Sequence, residues 1–142
     1  MKARFSLFIL VALAMPTGAN AIDDALTPSA EGAEVYIISP KDGVMLSSPV
    51  KIVFGLVGMG VAPAGVENEN TGHHHLLVDH PVPPLDEAMT VESGLVHFGK
   101  GQTETNIELI PGTHTLQLIL GDQYHIPHNP PLVSKSVTIT VE

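Results

Sequence analysis

Apolar and polar residues alternate along most of the chain, and glycine or proline interrupts the alternation about every ten residues. In the segment Val50–Gly58, for example, Val50, Ile52, Phe54 and Leu56 fall on one side of an extended chain. A period of two is typical of half-buried β-strands, and no stretch keeps the 3.6-residue period of an amphipathic helix over a useful length. Seven segments have strand character: 34–39, 50–58, 73–79, 90–98, 103–110, 113–121 and 133–141.

Seven short strands separated by regular turn signals predict an all-β fold, an immunoglobulin-like antiparallel β-sandwich. If successive strands run antiparallel, the second, fourth and sixth strands finish at the same end of the domain. The loops that follow these three strands then share that end. This arrangement predicts where residues that are distant in sequence come together.

Histidines are concentrated in the segments that meet at this end. His73 and His75 open the third strand on one face, roughly 6.5–7 Å apart, and His74 points to the opposite face. His97 closes the fourth strand, and His125 and His128 lie in the loop after the sixth. Neutral imidazoles in such a group suit copper or zinc. We therefore take His73, His75, His97, His125 and His128 as candidate metal ligands, with Met59 as a thioether candidate if the metal is copper.

A purely structural interpretation of the same histidines stays open, because buried imidazoles often hold loops through hydrogen bonds to backbone carbonyls. We expect this role for His114, which alternates in step with Leu116, Leu118 and Leu120 toward the core. Asp79 and Asp122 stand at strand ends, where carboxylates cap turns more often than they bind ions. Two further methionines, Met45 and Met89, have no evident role in the sequence pattern.

The N-terminus has the three parts of a secretory signal peptide. Lys2 and Arg4 precede the apolar run Phe5–Met15, and a small-x-small site ends at Ala21. We expect residues 1–21 to be a signal peptide, 22–33 a flexible lead-in and 34–142 a single domain, located in the periplasm or secreted. The apolar run is too short to span a bilayer, and no later segment is long enough, so we expect no membrane insertion after signal removal.

Composition narrows the classes of partner. The chain has no cysteine, so no disulfide stabilises it. Without Lys2 and Arg4, four basic residues face 15 acidic ones, a net charge of −11. Nucleic acid and anionic membranes need a basic surface, so neither is expected as a partner, whereas cations are attracted.

Four motifs carry a resemblance to a known family: GHHHLLVD (72–79), HFGKGQTE (97–104), PGTHTLQLILGD (111–122) and HIPHNPPLVS (125–134). Together they resemble a family of secreted bacterial proteins described as domain of unknown function 4399, over about Val50 to Val141. The resemblance implies a bacterial envelope location and a small all-β domain. It implies no activity and does not decide whether metal binds.

Three functions follow from these observations. The first is a non-catalytic binding domain of the periplasm or exterior whose histidine-rich end holds copper or zinc. The second is an envelope structural or protein-interaction domain with structural histidines and a protein partner. The third is a copper redox enzyme. We expect no enzyme, since no serine or cysteine nucleophile is accompanied by a plausible base.

Overall fold

The computed structural model describes residues 26–91 and 94–142. These residues form nine β-strands and no α-helix. The strands are β1 (Glu34–Ser39), β2 (Met45–Leu46), β3 (Val50–Val57), β4 (Gly60–Val61), β5 (Thr71–Val78), β6 (Leu95–His97), β7 (Glu104–Ile107), β8 (Gly112–Gly121) and β9 (Val137–Val141). The all-β prediction is confirmed. Each of the seven predicted segments contains a strand, and the two-residue strands β2 and β4 are additional.

The strands form two sheets. One has the order β1-β3-β7, and the other has the order β2-β9-β8-β5-β4, with β6 also paired to β5. The long neighbours pair antiparallel, as predicted, while the short strands β2 and β4 pair parallel to β9 and β5. The central strand β5 thus has β8 along one edge, and β4 and β6 share its other edge.

The main core lies between the two sheets, and the strands of each sheet contribute alternate residues to it. Ile52 and Phe54 of β3 meet Leu116, Leu118 and Leu120 of β8 in one buried cluster. Burial of such a side chain stabilises the fold by about 1.5–3 kcal/mol. This two-layer packing is that of a β-sandwich.

The outer face of β5 is covered as well. Leu77 on that face packs with Met89, Leu95 and Ile119 in a second, smaller cluster. Strand β5 is therefore buried on both faces along almost its whole length, which explains how three consecutive histidines become inaccessible together.

The predicted signal peptide lies outside the described residues, and the lead-in is described from Leu26 onward. There the Thr27 hydroxyl donates to Asp122, and the backbone of Ser29 and Asn129 pairs. These contacts attach residues 27–29 to the loop that follows β8. Among the described residues, no helix has the length and apolarity needed to cross a membrane.

Candidate metal centre

Four imidazoles meet on the outer face of β5. His73, His75, His97 and His125 each offer one ring nitrogen, and these four atoms lie within 4.8 Å of one another. All six pairs of rings are in contact, with centroid separations from 4.6 to 5.9 Å. The predicted convergence of residues up to 52 positions apart is therefore present.

Strand geometry places three of these rings together. His73 and His75 are two residues apart and so point to the same face of β5. His75 pairs with His97 on β6, and paired residues of antiparallel strands share a face. Two glycines leave room for the rings. A Cβ on Gly121 would lie 2.8 Å from Cε1 of His75, and a Cβ on Gly99 would overlap the His97 ring.

The fourth ring is presented by a tight turn after β8. His125 has a φ of 66°, a left-handed conformation that is uncommon for residues other than glycine. The buried carboxylate of Asp122 holds this turn. Its Oδ1 accepts hydrogen bonds from the backbone N–H of Tyr124 at 2.8 Å and of Ile126 at 2.9 Å. Its Oδ2 accepts the Thr27 hydroxyl at 2.7 Å. The prediction that Asp122 is a turn-capping group is confirmed.

The four rings are close enough to share one ion. Nε2 of His73 and Nδ1 of His125 are 3.0 Å apart, so one donates a hydrogen bond to the other. Two nitrogens bound at about 2.0–2.1 Å lie roughly 3.3 Å apart around tetrahedral zinc and roughly 2.9 Å apart around square-planar copper(II). The 3.0 Å separation matches these values. The widest separation of 4.8 Å requires the rings to move inward on binding.

Two ring nitrogens of this group have no hydrogen-bond partner. Within the described part of the chain, Nδ1 of His73 and Nδ1 of His75 are fully buried and unpaired. A buried polar atom without a partner costs about 1–3 kcal/mol, so native proteins usually satisfy it. These two nitrogen atoms are therefore still available to bind a partner.

Burial and crowding favour the neutral form of His73, His75 and His97. Desolvation, followed by repulsion from the other imidazoles, lowers the pKa of His73 to about 4 and that of His75 to about 3. Desolvation and His125 also lower the pKa of His97. A neutral imidazole is the form that binds a metal, so these three rings can coordinate at neutral pH.

The structure places the fifth predicted ligand, His128, apart from the other four. Its Nε2 donates a 3.2 Å hydrogen bond to the Thr71 carbonyl. The ring packs against Gly72, where a Cβ would lie 2.9 Å both from His128 and from the core residue Leu120. Gly72 alternates with His73, so His128 lies on the core side of β5.

Two other histidines have separate positions. His74 also points to the core side of β5, and its ring centroid is 5.1 Å from that of Phe54. His114, as predicted, has a structural role. Its Nδ1 donates to Asp79 Oδ2 at 2.7 Å and its Nε2 donates to the Ile110 carbonyl at 2.8 Å. Asp79 Oδ1 also accepts the Thr115 backbone N–H, which confirms Asp79 as a backbone-capping group.

Met89, and not the predicted thioether candidate Met59, is the methionine that lies beside the four histidines. Met59 packs against the main core, whereas Met89 lines a small cavity together with His75, His97 and His125. The backbone N–H of Met89 donates to the His125 carbonyl at 2.9 Å. No periodic pattern marks Met89, because it stands in the proline-rich loop after β5.

Comparisons with known proteins identify a family. Neither the curated proteins nor the solved structures contain a match to this chain. A family model described as "Domain of unknown function (DUF4399)" matches residues 52–142, a span that contains all four clustered histidines and Met89. The chain therefore belongs to the DUF4399 family.

Proposed function

We propose that this protein is a non-catalytic transition-metal-binding protein of the bacterial periplasm or exterior. His73, His75, His97 and His125 are its ligands, and copper or zinc is the ion. One observation carries the proposal: four imidazoles from three separate parts of the chain surround one point, with ligand atoms within 4.8 Å of one another.

The chemistry of the group supports this function. Imidazole nitrogens suit copper and zinc, and no described carboxylate joins the cluster to favour a hard ion such as Mg²⁺ or Ca²⁺. The unpaired Nδ1 atoms of His73 and His75 would gain a partner if a ring turned toward an ion. The excess of acidic residues attracts cations to the surface.

The alternative is a structural or protein-interaction domain of the envelope, and one contact favours it. The hydrogen bond between His73 and His125 connects β5 to the loop after β8 without any ion. In that case the cluster would stabilise the end of the sandwich, and metal would not change the stability.

Thermal unfolding with and without metal separates the two functions. The protein, expressed without a histidine tag, is melted after chelation and then with copper(II) or zinc. Binding stabilises the folded state by about 2.7 kcal/mol when free metal is 100 times the dissociation constant. For a domain of this size we expect a rise in Tm on the order of 10 °C.

A matched pair of variants assigns the effect to the cluster. His97→Ala removes an exposed ligand with little loss of packing, and it should reduce the rise in Tm by more than half. His80→Ala removes an exposed histidine outside the cluster and should leave the rise unchanged. No stabilisation by either metal, or equal loss in both variants, would refute the proposal.

Location is tested separately. If the signal peptide is cleaved as expected, N-terminal sequencing of the protein from the periplasm or culture medium should begin at Ile22. Retention of Met1 on the mature protein would contradict this part of the proposal.

A further inference from the structure

A methionine borders the four-histidine centre. Met89 is 7 % exposed and lines, with His75, His97 and His125, a cavity of about 160 Å³. Its terminal methyl carbon and Cε1 of His75 approach the same point of the backbone. They lie 2.9 and 2.8 Å from the position that a Cβ on Gly121 would occupy. The end of the thioether side chain therefore lies beside a ligand ring.

Met89 is held in position by a backbone hydrogen bond and by the packing of its side chain. Its backbone N–H donates to the carbonyl of His125, so the loop that carries the methionine is tied directly to a ligand residue. Its side chain packs in one buried apolar cluster with Leu77, Leu95 and Ile119. The thioether side chain is thus largely buried and lines the same cavity as three of the four imidazoles.

The chemistry of sulfur discriminates between the two candidate metals. A thioether is a soft, neutral donor that binds copper(I) well and adds little to zinc, which imidazoles alone can saturate. We propose that Met89 is a further ligand of this centre and that the centre is a copper site which holds copper(I). This inference rests on the proposed metal-binding function and adds the identity of the ion.

The test compares two metals in two methionine variants. Met89→Leu keeps an apolar side chain of similar volume but removes the sulfur, and such a change usually costs less than about 1.5 kcal/mol of stability. Met59→Leu is the matched control, since Met59 packs against the main core. Copper(I) affinity is measured anaerobically by competition with a chromophoric chelator, and zinc affinity by competition with a zinc chelator.

We expect Met89→Leu to weaken copper(I) binding about tenfold or more, equivalent to about 1.4 kcal/mol, with a change in zinc binding below threefold. Met59→Leu should change neither affinity. X-ray absorption of the copper(I) protein should show a sulfur neighbour that Met89→Leu removes. Zinc binding by the variant also confirms that it is folded.

The other outcomes are distinct. If wild-type protein binds both metals and Met89→Leu leaves copper(I) affinity unchanged, the methionine is an apolar cover and the inference is wrong, while the metal site stands. An equal loss for both metals assigns Met89 to packing and also overturns the inference. If wild-type protein binds neither metal, the proposed function itself fails.

Discussion

Replacing Asp122 with alanine should destabilise the protein and weaken metal binding together, because this carboxylate builds the turn that presents His125. Asp122 is 2 % exposed and accepts three hydrogen bonds of 2.7 to 2.9 Å. Two of the donors are backbone N–H groups of the turn itself. Without the carboxylate, His125 loses the support for its left-handed backbone conformation.

The magnitude follows from these bonds. A hydrogen bond to a charged group contributes about 1.5–3 kcal/mol, and the three share one acceptor group, so their effects are not additive. Removal of the side chain also abolishes the cost of burying the charge. We expect Asp122→Ala to lower the free energy of unfolding by about 3–5 kcal/mol. Asp122→Asn retains an acceptor oxygen and should lower it by about 1–2 kcal/mol.

Urea denaturation of the metal-free protein measures this loss, and titration with copper(II) or zinc measures the effect on the site. Groups that orient metal ligands typically change affinity by 10- to 100-fold, so we expect about a tenfold loss in Asp122→Asn. Asp86→Ala is the control, because it removes an exposed loop carboxylate and should change stability by less than about 0.5 kcal/mol. A loss below 1 kcal/mol in Asp122→Ala, or unchanged metal affinity in Asp122→Asn, would refute the reasoning.

Three further predictions concern histidines outside the metal centre. Hydrogen bonds to Asp79 and to a backbone carbonyl raise the pKa of His114. The stability that the protonated ring gives the folded protein is therefore complete below pH 6.5 and is lost as the pH rises through the higher folded-state pKa. His114→Ala should lower the free energy of unfolding, measured with urea, by about 2 kcal/mol at pH 6 and by less at pH 9. Desolvation lowers the pKa of His74 to about 4, partly offset by the backbone of Gln102. Between about pH 4 and 6.5 the unfolded chain therefore binds a proton at His74 that the folded protein does not bind. His74→Leu should therefore gain roughly 2 kcal/mol more at pH 5 than at pH 7.5, and an equal gain at both pH values would contradict the assignment. His128→Ala should lower the Tm yet leave metal affinity within twofold; a tenfold loss would restore His128 as a ligand.

Local sequence pattern accounts for most of the architecture. Alternation over a few residues located all seven of the longer strands, since it reflects the geometry of an extended backbone with one face turned to the core. The two-residue strands β2 and β4 escaped detection because two residues carry no periodicity. The strand predicted over residues 90–98 is shorter in the structure, where β6 spans Leu95–His97.

The chain alone was enough to predict the shared face of His73 and His75 and the meeting of three segments at one end of the sandwich. Parity along a strand and the alternation of antiparallel directions are local rules that need no knowledge of contacts. Tertiary structure decided which rings meet. His128 turned to the core side while His125 turned outward, although they are three residues apart in one loop.

The difference has a physical cause. Within a strand, side-chain direction is set by covalent geometry, whereas in this loop it depends on side-chain hydrogen bonds that leave no periodic pattern in the sequence. The path of residues 122–128 depends on Thr27 and on the carboxylate of Asp122, and Met89 reaches the centre through its bond to His125. The sequence alone thus determined the strands and the H-x-H pair, while the hydrogen bonds of the folded loops, local and long-range, positioned the fourth imidazole and brought Met89 to the same cavity.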